Sequence, residues 1–224
     1  MAFLLAIEGI DGSGKGTQAV RLCERLANSG ASLELFSFPR YEQTLFGKSI
    51  ADFLNGRFGG LPSVSPFLVA PLYAGDRFES RDLLLESIQS NDVVICDRYV
   101  PSNIAHQAAK LEVNEREELI AWIQKIEYDI YQLPKPDLVV LLDIWVKQAQ
   151  HLILSKRSRT YTDKSVDLHE ADGAYLQVVR EVYQHLAATE LNWYKLNCIA
   201  DGKVRTVQEI TDEIWNVVDA ARHT

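Results

Sequence analysis

The sequence predicts an α/β fold: a central, parallel, five-stranded sheet flanked by helices on both faces. Three observations carry that prediction. Short apolar runs alternate with longer stretches of helical periodicity from one end of the chain to the other. Several of those runs are apolar without alternation, as strands covered on both faces are. A glycine-rich stretch, "GIDGSGKG" (Gly9 to Gly16), separates the first run from the first helical stretch.

Phe3 to Ile7 is a nearly continuous apolar run and forms the first strand. From Thr17, the residues Ala19, Leu22, Cys23, Leu26 and Ala27 recur at helical spacing, and Gly30 closes that helix as a C-terminal cap. Leu33 to Phe38 is the second strand. Glu42 to Asn55 is a helix, and a Gly/Pro-rich loop runs from Gly56 to Pro66. One long helix is expected over Phe67 to Gln89, with Pro71 near its start or kinking it. Val93 to Cys96 is a buried strand. Asn114 to Tyr131 is a helix whose stripe of Leu119, Ile123, Ile126 and Ile130 fits either the core or a contact with a second copy. Leu138 to Leu142 is the fourth strand, and a helix from Val146 leads into the polar, basic stretch "SKRSRTYTDKS" (Ser155 to Ser165). Glu170 to Ala188 is a helix and Trp193 to Ile199 the last strand. Thr206 and Glu209 make a capping box ahead of Ile210, Ile214, Val217 and Val218. No repeat or long linker interrupts this order, so 1–224 reads as one domain.

Bulk properties narrow the function. The 224 residues suffice for one large α/β domain with a substantial core. A net charge of −8 argues against a nucleic-acid polymer or an anionic membrane as partner, because both call for a basic field. The three cysteines, Cys23, Cys96 and Cys198, have no metal or redox spacing and read as buried apolar residues. The N-terminal apolar run has no basic flank and is too short for a signal peptide or a membrane span. Together these features predict a reduced, cytoplasmic, soluble protein.

Gly9-x-x-x-x-Gly14-Lys15 lies between a buried strand and a helix, the context a phosphate-binding loop requires. Its glycines allow backbone angles that aim successive N–H groups at one point, and the helix N-terminus adds partial positive charge. Gly9, Asp11, Gly12, Ser13, Gly14, Lys15, Gly16 and Thr17 are therefore candidate contacts to the phosphates of ATP, with Lys15 reaching the β- and γ-phosphates. Gly16 stands where the general pattern has the Ser or Thr that holds Mg²⁺. The "GKGTQ" form resembles nucleoside monophosphate kinases, which implies a phosphate contact from Thr17 and a metal held largely by phosphates and water. Asp11 and Asp97 are the candidate protein ligands to Mg²⁺.

Three further motifs lie at the carboxyl ends of strands or in the helix between them: "FPRY" (Phe38 to Tyr41), "YAGDR" (Tyr73 to Arg77) and "DRYVPSNIAHQ" (Asp97 to Gln107). Parallel sheets bind ligands at that edge. The motifs bring Arg40, Arg77 and Arg98 towards one crevice, and arginine's planar fork suits phosphate oxygens. Phe38, Tyr41, Tyr73 and Tyr99 offer flat faces to a base. In order and spacing, these motifs and "LPKPDLVVLLD" (Leu133 to Asp143) resemble the thymidylate kinase family over nearly the whole chain.

That resemblance implies a P-loop nucleoside monophosphate kinase fold with a short lid at about 155–168, ATP and Mg²⁺ as cofactors, dTMP as the small-molecule substrate, and a homodimer. By position, Phe38 and Tyr41 would line the monophosphate pocket and Tyr73 would stack on thymine. Arg77 and Asn103 would meet the base edges. Asn103, with a donor and an acceptor, would match the paired carbonyl and N–H. Arg98 would grip the acceptor phosphate. Asp11 would bond the sugar 3′-hydroxyl, and Ser102 and Gln107 would sit around sugar and base. His106 stands where many members have Tyr, and His169 where the family often has Tyr or Ile before Glu170. Gly12 and Ser13 occupy the places of a loop arginine found in some members, so Arg157 and Arg159 of the lid are expected to supply the missing catalytic charge beside Lys15 and Arg98.

Other readings fit less well. A deoxynucleoside kinase needs a base, usually Glu, after the second strand, where this chain has "FPRY". A GTPase needs an Asn-Lys-x-Asp motif, which is absent. An inactive nucleotide binder has no reason to keep Lys15, Asp97, Arg98 and the lid arginines together.

Overall fold

A computed structural model describes residues 2–59, 64–155 and 173–223. Lys156, Arg157, Arg159, His169 and Glu170 lie outside the described residues, as does most of the expected lid.

Five strands form one parallel sheet: β1 (Phe3–Glu8), β2 (Leu33–Ser37), β3 (Val93–Asp97), β4 (Leu138–Asp143) and β5 (Trp193–Asn197), in the order β2-β3-β1-β4-β5. The middle strands are nearly inaccessible: Leu5, Ala6, Ile7 and all of Val93 to Cys96 are at 0 % exposure. Each buried Leu, Ile or Val among them contributes about 1.5–3 kcal/mol by leaving water. Burial on both faces is why these strands read as unbroken apolar runs rather than alternating ones. The chain leaves β1 for β2 on one side of the sheet and leaves β3 for β4 on the other. The carboxyl ends of β1 and β3 therefore flank a crevice, with Ile7 opposite Asp97.

The helices are α1 (Lys15–Asn28), α2 (Leu45–Leu54), α3 (Pro66–Glu79), α4 (Arg81–Ser90), α5 (Val100–Ala108), α6 (Val113–Gln124), α7 (Val146–Ser155), α8 (Gly173–Thr189) and α9 (Val207–Arg222). α1 packs with α9, while α5 lies among α3, α6 and α8. The capping box at α9 is present: Thr206 accepts from the Glu209 N–H, and Glu209 accepts from the Thr206 N–H at 2.8 Å. Among the described residues, no helix is long and apolar enough to cross a membrane.

Several expectations need correction. The long helix over Phe67 to Gln89 is two helices broken at Ser80, whose hydroxyl donates back to the Asp76 carbonyl at 3.0 Å. Pro71 lies inside α3. The expected strand to Ile199 ends at Asn197. A small hairpin comes next, β6 (Ile199–Ala200) with β7 (Lys203–Val204), turned by Asp201 and Gly202 at φ of 50° and 73°. An Asp-Gly pair with both φ positive is the favoured two-residue hairpin turn. α5 has no counterpart among the helices that periodicity predicts.

The stripe on α6 also breaks. Leu119 and Ile123 are core residues, but Ile130 is 62 % exposed. Residues Lys125–Ile130 form a π-helical segment, closed by the Tyr131 N–H on the Ile126 carbonyl at 2.8 Å. The wider turn rotates the residues after it by about one position, so Glu127, at 0 % exposure, faces the core where Ile126 was expected.

Candidate active site

The loop after β1 is built from backbone conformations that side chains rarely adopt. Gly9, Gly12 and Gly14 have φ of 146°, 81° and 93°. Gly12 is also closely packed: a Cβ there would lie 2.3 Å from the Ala149 carbonyl oxygen. Gly14 is the N-cap of α1, which has neither a side-chain cap nor an acidic residue in its first turn. Its first N–H groups are thus left for an anion. Lys15 is buried and donates to the Gly9 and Ile10 carbonyls, both at 2.8 Å. Burial, reinforced by the nearby Arg98 charge, pulls its pKa down to about 7. At Gly16 a Cβ would sit 3.0 Å from Asp97 Oδ2, so a Ser or Thr there would require the carboxylate at the end of β3 to shift by a few tenths of an ångström.

Arg98 leaves β3 in a left-handed conformation, φ 68°, which is strained for a side chain of this size. Its N–H bonds the Ile7 carbonyl at 3.1 Å, tying the turn to β1. Its guanidinium pairs with Asp11 and reaches Ser102 Oγ at 3.3 Å and His106 Nε2 at 3.5 Å. β1 and β3 thus bring Asp11, Lys15 and Arg98 together. Thr17 lies in the first turn of α1.

A carboxylate absent from the sequence-predicted site supports this corner. Glu8, at the end of β1, is fully buried and accepts from the Tyr99 N–H at 2.7 Å, Ser102 Oγ at 2.6 Å and the Tyr183 hydroxyl at 2.8 Å. Burial raises its pKa, against those hydrogen bonds and the Arg98 charge. The clue in the sequence is an acidic residue closing an otherwise apolar run. His106 is neutral, because burial pushes its pKa down to about 3. The Tyr175 hydroxyl donates to the His106 carbonyl at 2.8 Å and lies 3.2 Å from Nδ1, so Nδ1 carries the proton and Nε2 faces Arg98 as an acceptor.

The second half of the site lies where α3 and α5 meet the π-helical segment. Arg77 is 2 % exposed and grips Glu127 with two hydrogen bonds, Nε to Oε2 at 2.5 Å and Nη2 to Oε1 at 2.6 Å. Burial works against the guanidinium charge, and Glu127 more than offsets it, holding Arg77 above its ordinary value. Asn103 donates through Nδ2 to the Ala70 carbonyl at 3.0 Å and to Glu127 Oε1 at 2.8 Å. This corrects the expectation that Asn103 offers a base both a donor and an acceptor: its donors are committed, and buried Oδ1 has no partner among the described residues. Gln107, one turn on, is its mirror image. Oε1 accepts from Lys110 Nζ at 2.7 Å, and buried Nε2 has no partner among the described residues.

The aromatic residues separate. Tyr41 and Tyr73 are partly buried against Ile50, Phe53, Leu54 and Val69. Phe38, 4 % exposed, stacks on Phe36 and tilts against Tyr99. Tyr99 is a core residue whose hydroxyl donates to the Pro134 carbonyl at 2.9 Å, so it offers no face to a base. Arg40 bonds Ser80 Oγ at 3.1 Å, and its N–H is held by Asp76 at 3.0 Å. Asp76, the acidic residue of "YAGDR", accepts from Thr44 Oγ1 at 2.5 Å and so fastens the turn after β2 to α3.

Comparison with known proteins adds an independent finding. The thymidylate kinase family model matches residues 7–210. The chain belongs to the thymidylate kinase family. Among family relatives, it is 38 % identical over 187 residues to the thymidylate kinase of Mycobacterium tuberculosis (strain CDC 1551 / Oshkosh), covering 83 % of this chain and 86 % of that one. It is 36 % identical over 189 residues to a probable thymidylate kinase of Thermococcus kodakarensis, covering 82 % and 83 %. The fold matches the solved thymidylate kinase of Candida albicans with a TM-score of 0.75 at 22 % identity, over 100 % of this chain and 94 % of that one.

The family resemblance also bears on the metal. Among the described residues, no cluster of three or more His, Cys, Asp or Glu side chains is placed to hold an ion. Asp11 is engaged by Arg98, and Asp97 lies beside the start of α1. One or two carboxylates beside a phosphate site fit a hard cation that keeps its water and takes its remaining oxygens from a nucleotide.

Proposed function

We propose that the chain transfers the γ-phosphoryl group of ATP to dTMP, giving dTDP and ADP, as its family membership implies. The observation that carries the reading is the presence, along one sheet edge, of two unlike sites. One is a loop with open N–H groups beside Lys15 and Arg98. The other is the buried meeting of α3, α5 and the π-helical segment, where the polar atoms without a partner among the described residues belong to the neutral amides of Asn103 and Gln107.

A phosphate monoester has a second pKa of about 6 and is mostly the dianion at neutral pH, so the acceptor needs no general base. One of its oxygens bonds the γ-phosphorus as the bond to the β–γ bridging oxygen breaks and ADP leaves with that electron pair. Catalysis then consists of positioning and of neutralising charge on a loose transition state. In this reading Gly9 to Thr17 cradle the triphosphate, with Lys15 on the β- and γ-oxygens. Arg98 holds the acceptor phosphate, and Asp11 keeps that guanidinium aimed and meets the sugar 3′-hydroxyl. Phe38 and Tyr41 line the monophosphate pocket and Tyr73 stacks on the base. Asn103, Arg77, Ser102 and Gln107 surround base and sugar. Asp97 or Asp11 would hold Mg²⁺, which would supply further charge neutralisation. Arg157 and Arg159 complete the cation set from the lid at about 155–168, which also excludes water.

Turnover with ATP, Mg²⁺ and a panel of monophosphates tests the reading. dTMP should give the highest kcat/KM, dUMP a modestly lower one, and dCMP, AMP and GMP much lower ones. AMP or CMP equal to dTMP overturns it. Arg157→Ala or Arg159→Ala should lower kcat more than it weakens dTMP binding. Normal turnover in both removes the lid from the chemistry.

A homodimer is part of the same reading, supported by apolar side chains left in water on α2 and α3: Leu45 at 75 % and Leu68 at 70 % exposure. Sedimentation of Leu45→Glu and Leu68→Glu variants tests it, a wild-type monomer being the contrary result. Three free thiols suit a reducing, cytoplasmic compartment.

A further inference from the structure

We propose that Glu127, carried into the core by the π-helical turn, is a positioning residue that sets the polarity of the base-reading edge: by engaging the donors of Asn103 and Arg77 that face it, it leaves Asn103 Oδ1 an acceptor with no partner among the described residues, so this edge takes a 4-oxo pyrimidine and refuses a 4-amino one. The inference rests on the dTMP reading above.

A primary amide has two unlike ends. Asn presents one acceptor and one pair of donors, and either end can face a ligand unless something fixes it. Here two acceptors, the Ala70 carbonyl and Glu127 Oε1, lie at 3.0 and 2.8 Å from the same end of Asn103. Only the NH₂ end can occupy that position. Oδ1 is thereby turned the other way, buried and without a partner among the described residues. A buried acceptor without a donor is costly, so the position calls for a ligand N–H.

Thymine and uracil carry an N–H at N3 beside a carbonyl at C4. Cytosine carries a bare acceptor at N3 and an amino group at C4. Against Oδ1 the first pair gives a hydrogen bond and cytosine sets acceptor against acceptor. Arg77, which can only donate, belongs with the C4 carbonyl and not with an amino group. Its Nε and Nη2 are engaged by Glu127, so the same carboxylate that orients the amide fixes the plane of the guanidinium. Four residues along the same face of α5, Lys110 fixes Gln107 in the opposite sense and leaves a donor without a partner among the described residues.

A merely structural Glu127 would also be buried and paired, so the test must read specificity and not only activity. It uses the full chain with ATP and three acceptors, dTMP, dUMP and dCMP. dUMP and dCMP differ only at N3 and C4. In Glu127→Gln the ratio of kcat/KM for dUMP over dCMP should narrow by about tenfold or more, mainly through KM for dUMP, because an amide at 127 no longer dictates which end of Asn103 faces the base. The ratio of dTMP to dUMP should not change, since the methyl group lies off this edge. A folded Glu127→Gln enzyme with the wild-type dUMP-to-dCMP ratio, or with all acceptors reduced alike, overturns the inference. A measurement on the wild-type protein covers the case in which that variant does not fold. With ¹⁵N labelling and no nucleotide present, the Asn103 side-chain NH₂ should exchange slowly with solvent; free exchange overturns the inference. Wild-type enzyme that phosphorylates neither dTMP nor dUMP defeats the dTMP reading instead, while the exchange measurement still decides whether Glu127 holds Asn103.

Discussion

The two ends of the site treat charge in opposite ways. At the loop end, the Lys15 ammonium is held by backbone carbonyls and the helix N-terminus carries no cap, so positive charge is left for a ligand to complete. At the base end, Arg77 and Glu127 complete each other in a buried pair, and the groups left over belong to the neutral amides of Asn103 and Gln107. Phosphates are charged and tolerate a solvated approach, so recognition there can rest on unsatisfied cations and N–H groups. A base edge is neutral and is told apart only by the direction of its hydrogen bonds. In the proposed reading, charge at that end acts indirectly, by orienting neutral groups.

This contrast can be broken by experiment. Its largest consequence concerns Arg77. Arg77→Met leaves Glu127 buried without its counter-charge and should cost about 3–5 kcal/mol of stability in urea unfolding. Stability within experimental error of wild type would mean that the base end is not a locked pair. Lys15→Ala should behave oppositely, with stability close to wild type but turnover lower by about 2.7–4 kcal/mol of transition-state stabilisation. If Lys15→Ala unfolds as readily as Arg77→Met, the contrast between the two ends fails.

His106 lies between the ends. Its pKa is pushed from 6.5 down to about 3 by burial, so the folded state refuses a proton that the unfolded chain accepts. The stability it protects is fully present above the unfolded value and is lost as pH falls towards the folded one. Each pH unit in that window is worth up to about 1.4 kcal/mol, so roughly 2 kcal/mol should go between pH 6.5 and pH 5. A His106→Gln variant should show a flatter stability curve over that range, and an unchanged slope would place the acid sensitivity elsewhere. The smallest signal is at Lys15. With a pKa of about 7, it is largely neutral at pH 8, and a triphosphate should restore its proton. Titration calorimetry of ATP at pH 8 in buffers of different ionisation enthalpy should report proton uptake that is missing in Lys15→Ala; equal uptake in both would assign the proton to another group.

Much of the fold could be read from the sequence because local rules coincided with tertiary ones. β1, β3 and β4 are covered on both faces and therefore appear as apolar runs, and α9 announces itself through Thr206 and Glu209. α5 was missed because all of Val100 to Ala108 is buried: its polar residues Ser102, Asn103, His106 and Gln107 face the site and not solvent, so the helix lacks the apolar stripe that marks a surface helix. The break at Ser80 falls inside a stretch whose apolar pattern records no interruption.

The site divides along the same line. The sequence alone determined the phosphate loop, since glycines at fixed spacing, a lysine and the strand–helix context are local facts. It also determined which motifs meet at the edge of the sheet, since strand order in a parallel fold brings their carboxyl ends together. Only the tertiary structure decided what those residues do to one another. Tyr99 proved to be core, Asp76 to be a fastening for the turn after β2, and Glu8 and Glu127 to be the buried carboxylates on which Ser102, Asn103 and Arg77 depend. The physical reason is that a polar side chain's role is set by which of its atoms are already bonded. Those partners lie as far apart in the chain as Glu8 and Tyr183, beyond the reach of any local pattern.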